Sequence, residues 1–259
     1  MPVVSPEKSR TLASIVGVRR LTDDIVSLVF RAPEMARRAQ PGHFVAVRAG
    51  QTEAPLLRRP FSLAANDNAD NLTLVFRIIG VGTTLLAAKR PGETLDVIGP
   101  LGRPFEIHDD RPAVLVAGGL GIPPIAFLAR FLKARNIPAT LYCGVRTQSE
   151  LAALGDAADH VERLVVSTDD GSAGHHGVIS EVVAREVSDN CRIYACGPRP
   201  LLDVLIRLAR ERAIPTQLSF EQQMACGVGA CMGCSIATAR GYQRVCTDGP
   251  VFPAEAFFD

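Results

Sequence analysis

Four of the seven cysteines crowd into the C-terminal stretch as Cys226-x4-Cys231-x2-Cys234-x11-Cys246. Four thiolates satisfy a [2Fe–2S] cluster, two to each iron, and C-x4-C-x2-C with a distant fourth cysteine is the plant-ferredoxin spacing. Gly227, Gly229 and Gly233 stand between the ligands. A loop wrapped around a cluster needs such residues, which lack Cβ and let backbone N–H groups turn toward sulfur. Structural zinc also takes four thiolates, but usually as two short pairs. Here the first gap is four and the last cysteine stands alone, so the spacing favours iron and sulfide. Clustering without a secretion signal argues against a disulfide frame. Cys143, Cys191 and Cys196 fit no ligand pattern and read first as core thiols.

A second set of residues could hold phosphates and a flavin. In Arg58-Arg59-Pro60-Phe61-Ser62-Leu63 an arginine fork can pair with a pyrophosphate and a serine hydroxyl can bond a flavin ring nitrogen; a solvated arginine pair on a surface loop is the plain alternative. Gly80-Val81-Gly82-Thr83-Thr84 reads as a glycine turn opening a helix, either an anion site or an ordinary cap.

Two further glycine turns join strand-like to helix-like segments. In Ala117-Gly118-Gly119-Leu120-Gly121-Ile122-Pro123-Pro124 bare backbone could approach a pyrophosphate at a helix N-terminus. It is not G-x-G-x-x-G, so a packing turn stays open as a reading. The other is Cys196-Gly197-Pro198-Arg199-Pro200. Ligands of open α/β sheets bind at such strand ends, where Cys196 could face a nicotinamide. Asp169-Asp170-Gly171-Ser172 could meet ribose hydroxyls or be a polar turn, while Arg146 could meet a 2′-phosphate. These residues alone leave NAD against NADP open. No nucleophile–His–acid set and no H-E-x-x-H motif is present, and His43, His108, His160, His175 and His176 read as surface or turn residues rather than ligands.

The elements that must position these groups change character along the chain. Residues 11–107 look all-β: runs at 25–30, 44–48 and 72–79 are rich in β-branched and aromatic residues. Turn signals at Pro41-Gly42, 66–68, Pro91-Gly92 and Gly99-Pro100 separate them, which predicts a small barrel or sandwich. From Arg111 strand-like and helix-like segments alternate: strands at 114–117, 139–144, 163–167 and 192–195, helices at 125–134, 149–154, 179–186 and 200–213. That rhythm means a parallel sheet wound by crossovers. After Pro215 the pattern stops, and so short a remainder needs a metal centre to hold it. The expected fold is therefore multidomain: an antiparallel β-barrel over 1–108, an α/β parallel-sheet nucleotide domain over 109–215, and a cluster-binding segment over 216–259.

Composition bounds the partners. The chain has 259 residues, 47% of them hydrophobic, with 28 basic and 27 acidic side chains in no long block. Nucleic acid and anionic membrane are poor partners for such a balance. The apolar stretch 112–129 is broken by three glycines and two prolines at its centre, so it reads as a buried strand and turn rather than a membrane span. With no signal-peptide pattern in MPVVSPEKSRTLAS, a cytoplasmic protein is expected.

Together these motifs resemble the ferredoxin–NADP reductase superfamily. The tail from Met224 to Ser235, closed by Val245 to Phe252, is similar to the electron-transfer subunits of type B, NAD-dependent dihydroorotate dehydrogenases. The resemblance spans essentially the whole chain and implies roles by position. Arg59, Pro60, Phe61 and Ser62, with Phe76 and Arg77, would hold FAD, and Gly82 and Thr83 its pyrophosphate. The turns Gly118-Gly119-Leu120-Gly121 and Cys196-Gly197-Pro198 would frame NAD, a diffusible substrate. Cys226, Cys231, Cys234 and Cys246 would bind the cluster. The implied partner is an FMN-bearing dihydroorotate dehydrogenase catalytic subunit, two copies of each chain forming a heterotetramer, in pyrimidine biosynthesis. A related class, found in sulfhydrogenases and NADH-dependent ferredoxin–NADP oxidoreductases, often lacks a cysteine at the first ligand position. Cys226 is present here, which tilts the resemblance toward the dihydroorotate system. A stand-alone or differently partnered NAD(P)H:ferredoxin-type reductase subunit is the alternative.

Overall fold

The computed structural model describes residues 9–50, 54–67 and 70–258. The strands β1 (Ser9–Arg20), β2 (Ile25–Arg31), β3 (Phe44–Arg48), β4 (Arg59–Asn66), β5 (Asn71–Arg77) and β6 (Thr94–Leu101) close an antiparallel barrel in the order β1-β2-β5-β4-β3-β6. Two short helices interrupt it, α1 (Pro33–Arg38) and α2 (Val81–Ala87). Strand β5 shows why this sequence folds so: Leu72, Leu74 and Phe76 alternate inward with half-exposed neighbours, the period-two pattern of a strand with one buried face. Gly99-Pro100, expected as a turn, lies inside β6. Pro100 follows the last residue of the β1 ladder, Gly99, and a strand tolerates proline where no ladder hydrogen bond is asked of its nitrogen. The turn expected at 66–68 ends on a residue outside the described set. His43, read as a surface or turn residue, is buried at 3% exposure, its Nδ1 accepting the Gln40 N–H.

The second unit is a seven-stranded sheet, built from β7 (Ala113–Gly118), β8 (Ala139–Val145), β9 (Arg163–Thr168), β10 (His175–His176), β11 (Arg192–Cys196), β12 (Thr216–Ser219) and a last strand described below. Its order is β10-β9-β8-β7-β11-β12 with every pair parallel. All six residues of β7 are buried, as a central strand covered on both faces must be. Helix α3 (Ile122–Lys133) covers one face, where Leu115, Leu141, Ile125 and Leu128 pack together. Helices α4 (Ile179–Glu186) and α5 (Arg199–Arg212) cover the other, around Val116, Ile193, Val183 and Leu205.

The sheet runs further than the periodicity indicated. Beyond Pro215 come β12, the hairpin of β13 (Ser235–Thr238) and β14 (Gly241–Arg244), and β15 (Val251–Pro253), which joins the sheet edge antiparallel to β12. The cysteine segment is thus an excursion between two strands of the large sheet. Cys234, Ile236, Val245 and Cys246 share one apolar core with Phe44 and Leu101 of the barrel and Leu218 of the sheet. Helix α3 ties the halves together as well, since its Phe127 is buried in the barrel core. None of the helices among the described residues is long and apolar enough to cross a membrane.

Candidate functional site: two joined cavities and a thiol cluster

The four C-terminal thiols stand as two pairs. Cys226 is hydrogen-bonded with Cys231, and Cys246 with Cys234; the charge of Cys226 also reaches Cys246. Burial opposes the Cys226 anion, but the N–H groups of Val228, Cys231 and Ala230 and the Cys231 thiol outweigh it, bringing Cys226 down to about 6. The Val228 N–H lies 3.4 Å from its sulfur. The Gly233 N–H reaches Cys231 Sγ at 3.5 Å and the Cys246 N–H reaches Cys234 Sγ at 3.4 Å. Burial and the neighbouring Cys234 push Cys246 up to about 12. Gly229 has φ +90°, and a Cβ there would lie 2.8 Å from Thr247 Cγ2, so this loop closes only with glycine. No three His, Cys, Asp or Glu side chains among the described residues converge on one point as a single metal ion would ask. Two thiol pairs with N–H groups aimed at sulfur suit two bridged irons.

Next to the cluster segment lies a cavity of about 260 Å³. Pro60, Phe61 and Ser62 of β4, Phe76 and Arg77 of β5, and Thr83 of α2 form its barrel side. Leu120 and Pro123 close it from the parallel-sheet unit, and Phe220, Glu221 and Met224 from the stretch leading to Cys226. Phe61 and Phe76 stack obliquely with centroids 5.2 Å apart. An aromatic-floored slot with the Ser62 and Thr83 hydroxyls and the Arg77 guanidinium in its wall has the donor set an isoalloxazine ring could use.

The structure separates the arginine fork. Arg58 is held by the Asp96 carboxylate at 2.8 Å and by its carbonyl at 2.9 Å, so it braces the barrel. Arg59 instead lies against Gly82, where a Cβ would come within 2.9 Å of Nε. Arg59 and Gly82 therefore meet at the α2 turn, beside the cavity rather than in its wall. The Thr83 hydroxyl accepts the Ile79 N–H at 2.9 Å and donates to the Gly80 carbonyl at 3.0 Å, which makes it the cap of its own helix.

A larger cavity, about 610 Å³, follows the carboxyl ends of β9, β8, β7, β11 and β12. Gly118, Gly119 and Gly121 line it from one turn, Gly197 and Pro198 from the other, and Arg146 and Asp169 from the β8 and β9 ends. The two turns touch backbone to backbone: a Cβ on Gly121 would stand 2.1 Å from the Cys196 carbonyl oxygen. Cys196 itself sits behind the wall, fully buried, where burial raises its thiol pKa. Cys143 and Cys191 are buried too, pushed up by burial to about 12 and about 11.

The cavities meet. Arg77, Leu120 and Glu221 line both. The Glu221 side chain is open to the cavity by surface exposure, yet protein walls it on most sides, and that desolvation raises its carboxyl above the usual range. Sequence reasoning missed Glu221 and Met224 as wall residues. It also missed Glu150, a buried carboxylate bound by Arg77 and Arg146, although its spacing of four from Arg146 was a visible ion-pair signal.

Comparison with known proteins agrees with this geometry. Residues 221–257 match the iron–sulfur cluster binding domain of dihydroorotate dehydrogenase B. The dihydroorotate dehydrogenase B (NAD(+)) electron transfer subunit of Desulforamulus reducens is 35% identical, covering 93% of this chain and 95% of the relative. That of Geobacillus kaustophilus is 37% identical, covering 95% and 97%. Among solved structures, a chain of the NADH-dependent reduced ferredoxin–NADP oxidoreductase superposes with a TM-score of 0.84 at 29% identity, over 95% of this chain and 89% of that one. A ferredoxin reductase of carbazole 1,9a-dioxygenase gives 0.68 at 25% identity, over 80% and 66%. With thiol pairs, joined cavities and full-length relatives all in agreement, the chain belongs to the family of dihydroorotate dehydrogenase B (NAD(+)) electron transfer subunits.

Proposed function

We propose that this chain conducts electrons between a dihydroorotate dehydrogenase catalytic subunit and NAD⁺, through a [2Fe–2S] cluster and FAD, in pyrimidine biosynthesis. The observation that carries the reading is continuity. The larger cavity shares three wall residues with the smaller, and Met224 in the wall of the smaller stands two residues before Cys226. When bound, the nucleotide supplies hydride chemistry, the cluster single-electron chemistry, and the flavin both.

The chain's own residues hold and orient. Cys226 and Cys231 would ligate one iron and Cys234 and Cys246 the other, with backbone N–H groups stabilising the sulfur charge. Pro60, Phe61, Ser62, Phe76 and Arg77 would seat the flavin ring, and Arg59 with Gly82 and Thr83 would face its pyrophosphate. Gly118, Gly119 and Gly121 let the nucleotide backbone approach closely, while Gly197 and Pro198 bound the nicotinamide end and Cys196 supports that turn from behind. No residue here is asked to act as a general base; dihydroorotate oxidation needs one, which assigns that chemistry to the partner. We place the complex in the cytoplasm as a heterotetramer of two chains of each kind.

The test is anaerobic co-purification with the catalytic subunit. The complex should reduce NAD⁺ with dihydroorotate, whereas this chain alone should not. Dihydroorotate oxidation by the isolated chain, or fast NADH-driven ferredoxin reduction with no affinity for the catalytic subunit, would contradict the assignment.

A further inference from the structure

Glu150 plays no part in the electron path above, yet it occupies the junction of both units. Its carboxylate is buried at 6% exposure. Oε1 accepts Arg146 Nε at 2.8 Å, lies 2.6 Å from Arg146 Nη2 and 2.9 Å from Arg77 Nη2. Arg77 is anchored in turn by Asp24 of the turn between β1 and β2. Burial would raise the Glu150 carboxyl, but the bonds from Arg146 and Arg77 hold it below the usual carboxylate range.

Arg146 matters because of where it stands. It lines the nucleotide cavity at the β8 end, beside Asp169 at the β9 end. Glu221 and the β11 turn lie toward the other side of the sheet, next to the flavin-side cavity. A nicotinamide nucleotide with its reactive ring at the Glu221 end of that wall, by the β11 and β12 ends, would run across the strand ends and bring its adenosine ribose to Arg146 and Asp169 at the β8 and β9 ends. A 2′-phosphate there would seek an arginine fork, whereas a free 2′-hydroxyl can donate to a carboxylate. The Nε and Nη2 edge of Arg146 is already taken by Glu150, and Asp24 and Asp169 add negative field to the same guanidinium. An incoming phosphate would meet a neutralised cation flanked by carboxylates.

We propose that Glu150 sets the preference for NAD(H) over NADP(H) by holding Arg146 out of reach of a 2′-phosphate. This rests on reading the larger cavity as the nucleotide site, and the experiment separates the two. Calorimetry on the cofactor-loaded protein uses 5′-AMP and 2′,5′-ADP as probes. Wild type should bind 5′-AMP, and failure to do so sinks the cavity assignment together with the inference. If 5′-AMP binds, Glu150→Gln should raise the affinity ratio of 2′,5′-ADP to 5′-AMP by about tenfold, the effect of one freed charge-assisted contact. Adding Arg146→Ala to that variant should return the ratio to the wild-type value. Arg146→Ala alone alters an exposed side chain and tests the idea even if Glu150→Gln does not fold. It should leave 2′,5′-ADP affinity within about twofold, and a loss of about fivefold or more would show the guanidinium to be free already. An unchanged ratio in Glu150→Gln, or a gain that survives in the double variant, overturns the proposal. The same shift should appear in kcat/KM for NADPH against NADH.

Discussion

The cluster thiols differ from the other cysteines in what surrounds each sulfur. Val228, Ala230, Cys231, Gly233 and Cys246 direct N–H groups at the sulfurs of Cys226, Cys231 and Cys234, whereas burial alone acts on Cys143 and burial with neighbouring side-chain charges on Cys191. Cys234→Ser should therefore abolish iron and sulfide retention, and Cys143→Ala should keep both; metal and sulfide assays on the two proteins check this. That division was legible in the sequence, because ligand spacing is a covalent fact that needs no tertiary context. His43 was not legible, since a lone histidine beside Pro41-Gly42 looks like a turn residue until the barrel closes over it. Burial drops its pKa from 6.5 to about 4. Between those values the unfolded chain binds the extra proton, so stability falls as pH drops through that window, by about 3 kcal/mol in all and about 2 kcal/mol by pH 5. Urea midpoints at pH 7 and pH 5 should separate wild type from His43→Asn by that amount. Equal pH dependence in both proteins would contradict it.

At the scale of elements, the two glycine turns shape the larger cavity. Gly121→Ala would drive a Cβ into the Cys196 carbonyl, a backbone atom that cannot swing aside. It should cost about 2 kcal/mol of stability by overpacking and weaken 5′-AMP binding; normal affinity in a normally stable variant would refute the close packing. Phe127 projects from α3 into the barrel core, so Phe127→Ala should cost about 3–5 kcal/mol, read from thermal unfolding. The alternation of strand and helix made β7, β8, β9 and β11 readable, because α3, α4 and α5 follow β7, β9 and β11, although 3-10 turns at Gln148–Leu154 and Ala157–His160, not an α-helix, join β8 to β9. Strands β12 and β15 escaped notice: they span four and three residues, too short for periodicity to declare. Gly99-Pro100 misled for the opposite reason, a strong turn signal overridden by barrel closure. The arginine fork was half right, for only tertiary structure shows Asp96 claiming Arg58 and leaving Arg59 to the α2 turn.

The whole molecule sets three features side by side: a cavity along the carboxyl ends of the parallel strands, a slot between sheet and barrel, and a thiol cluster looped out between β12 and β15. The shared walls, Arg77, Leu120 and Glu221, belong to segments far apart in sequence, which is why the motifs could be found singly and their junction could not. One experiment bears on this arrangement most directly: iron, acid-labile sulfide and flavin assays on anaerobically purified protein, with an electron paramagnetic resonance spectrum before and after NADH. The expected result is about two irons and about two sulfides per chain, FAD, and a reduced-cluster signal that grows in on NADH addition. Zinc in place of iron, or a cluster that NADH leaves oxidised, would contradict it.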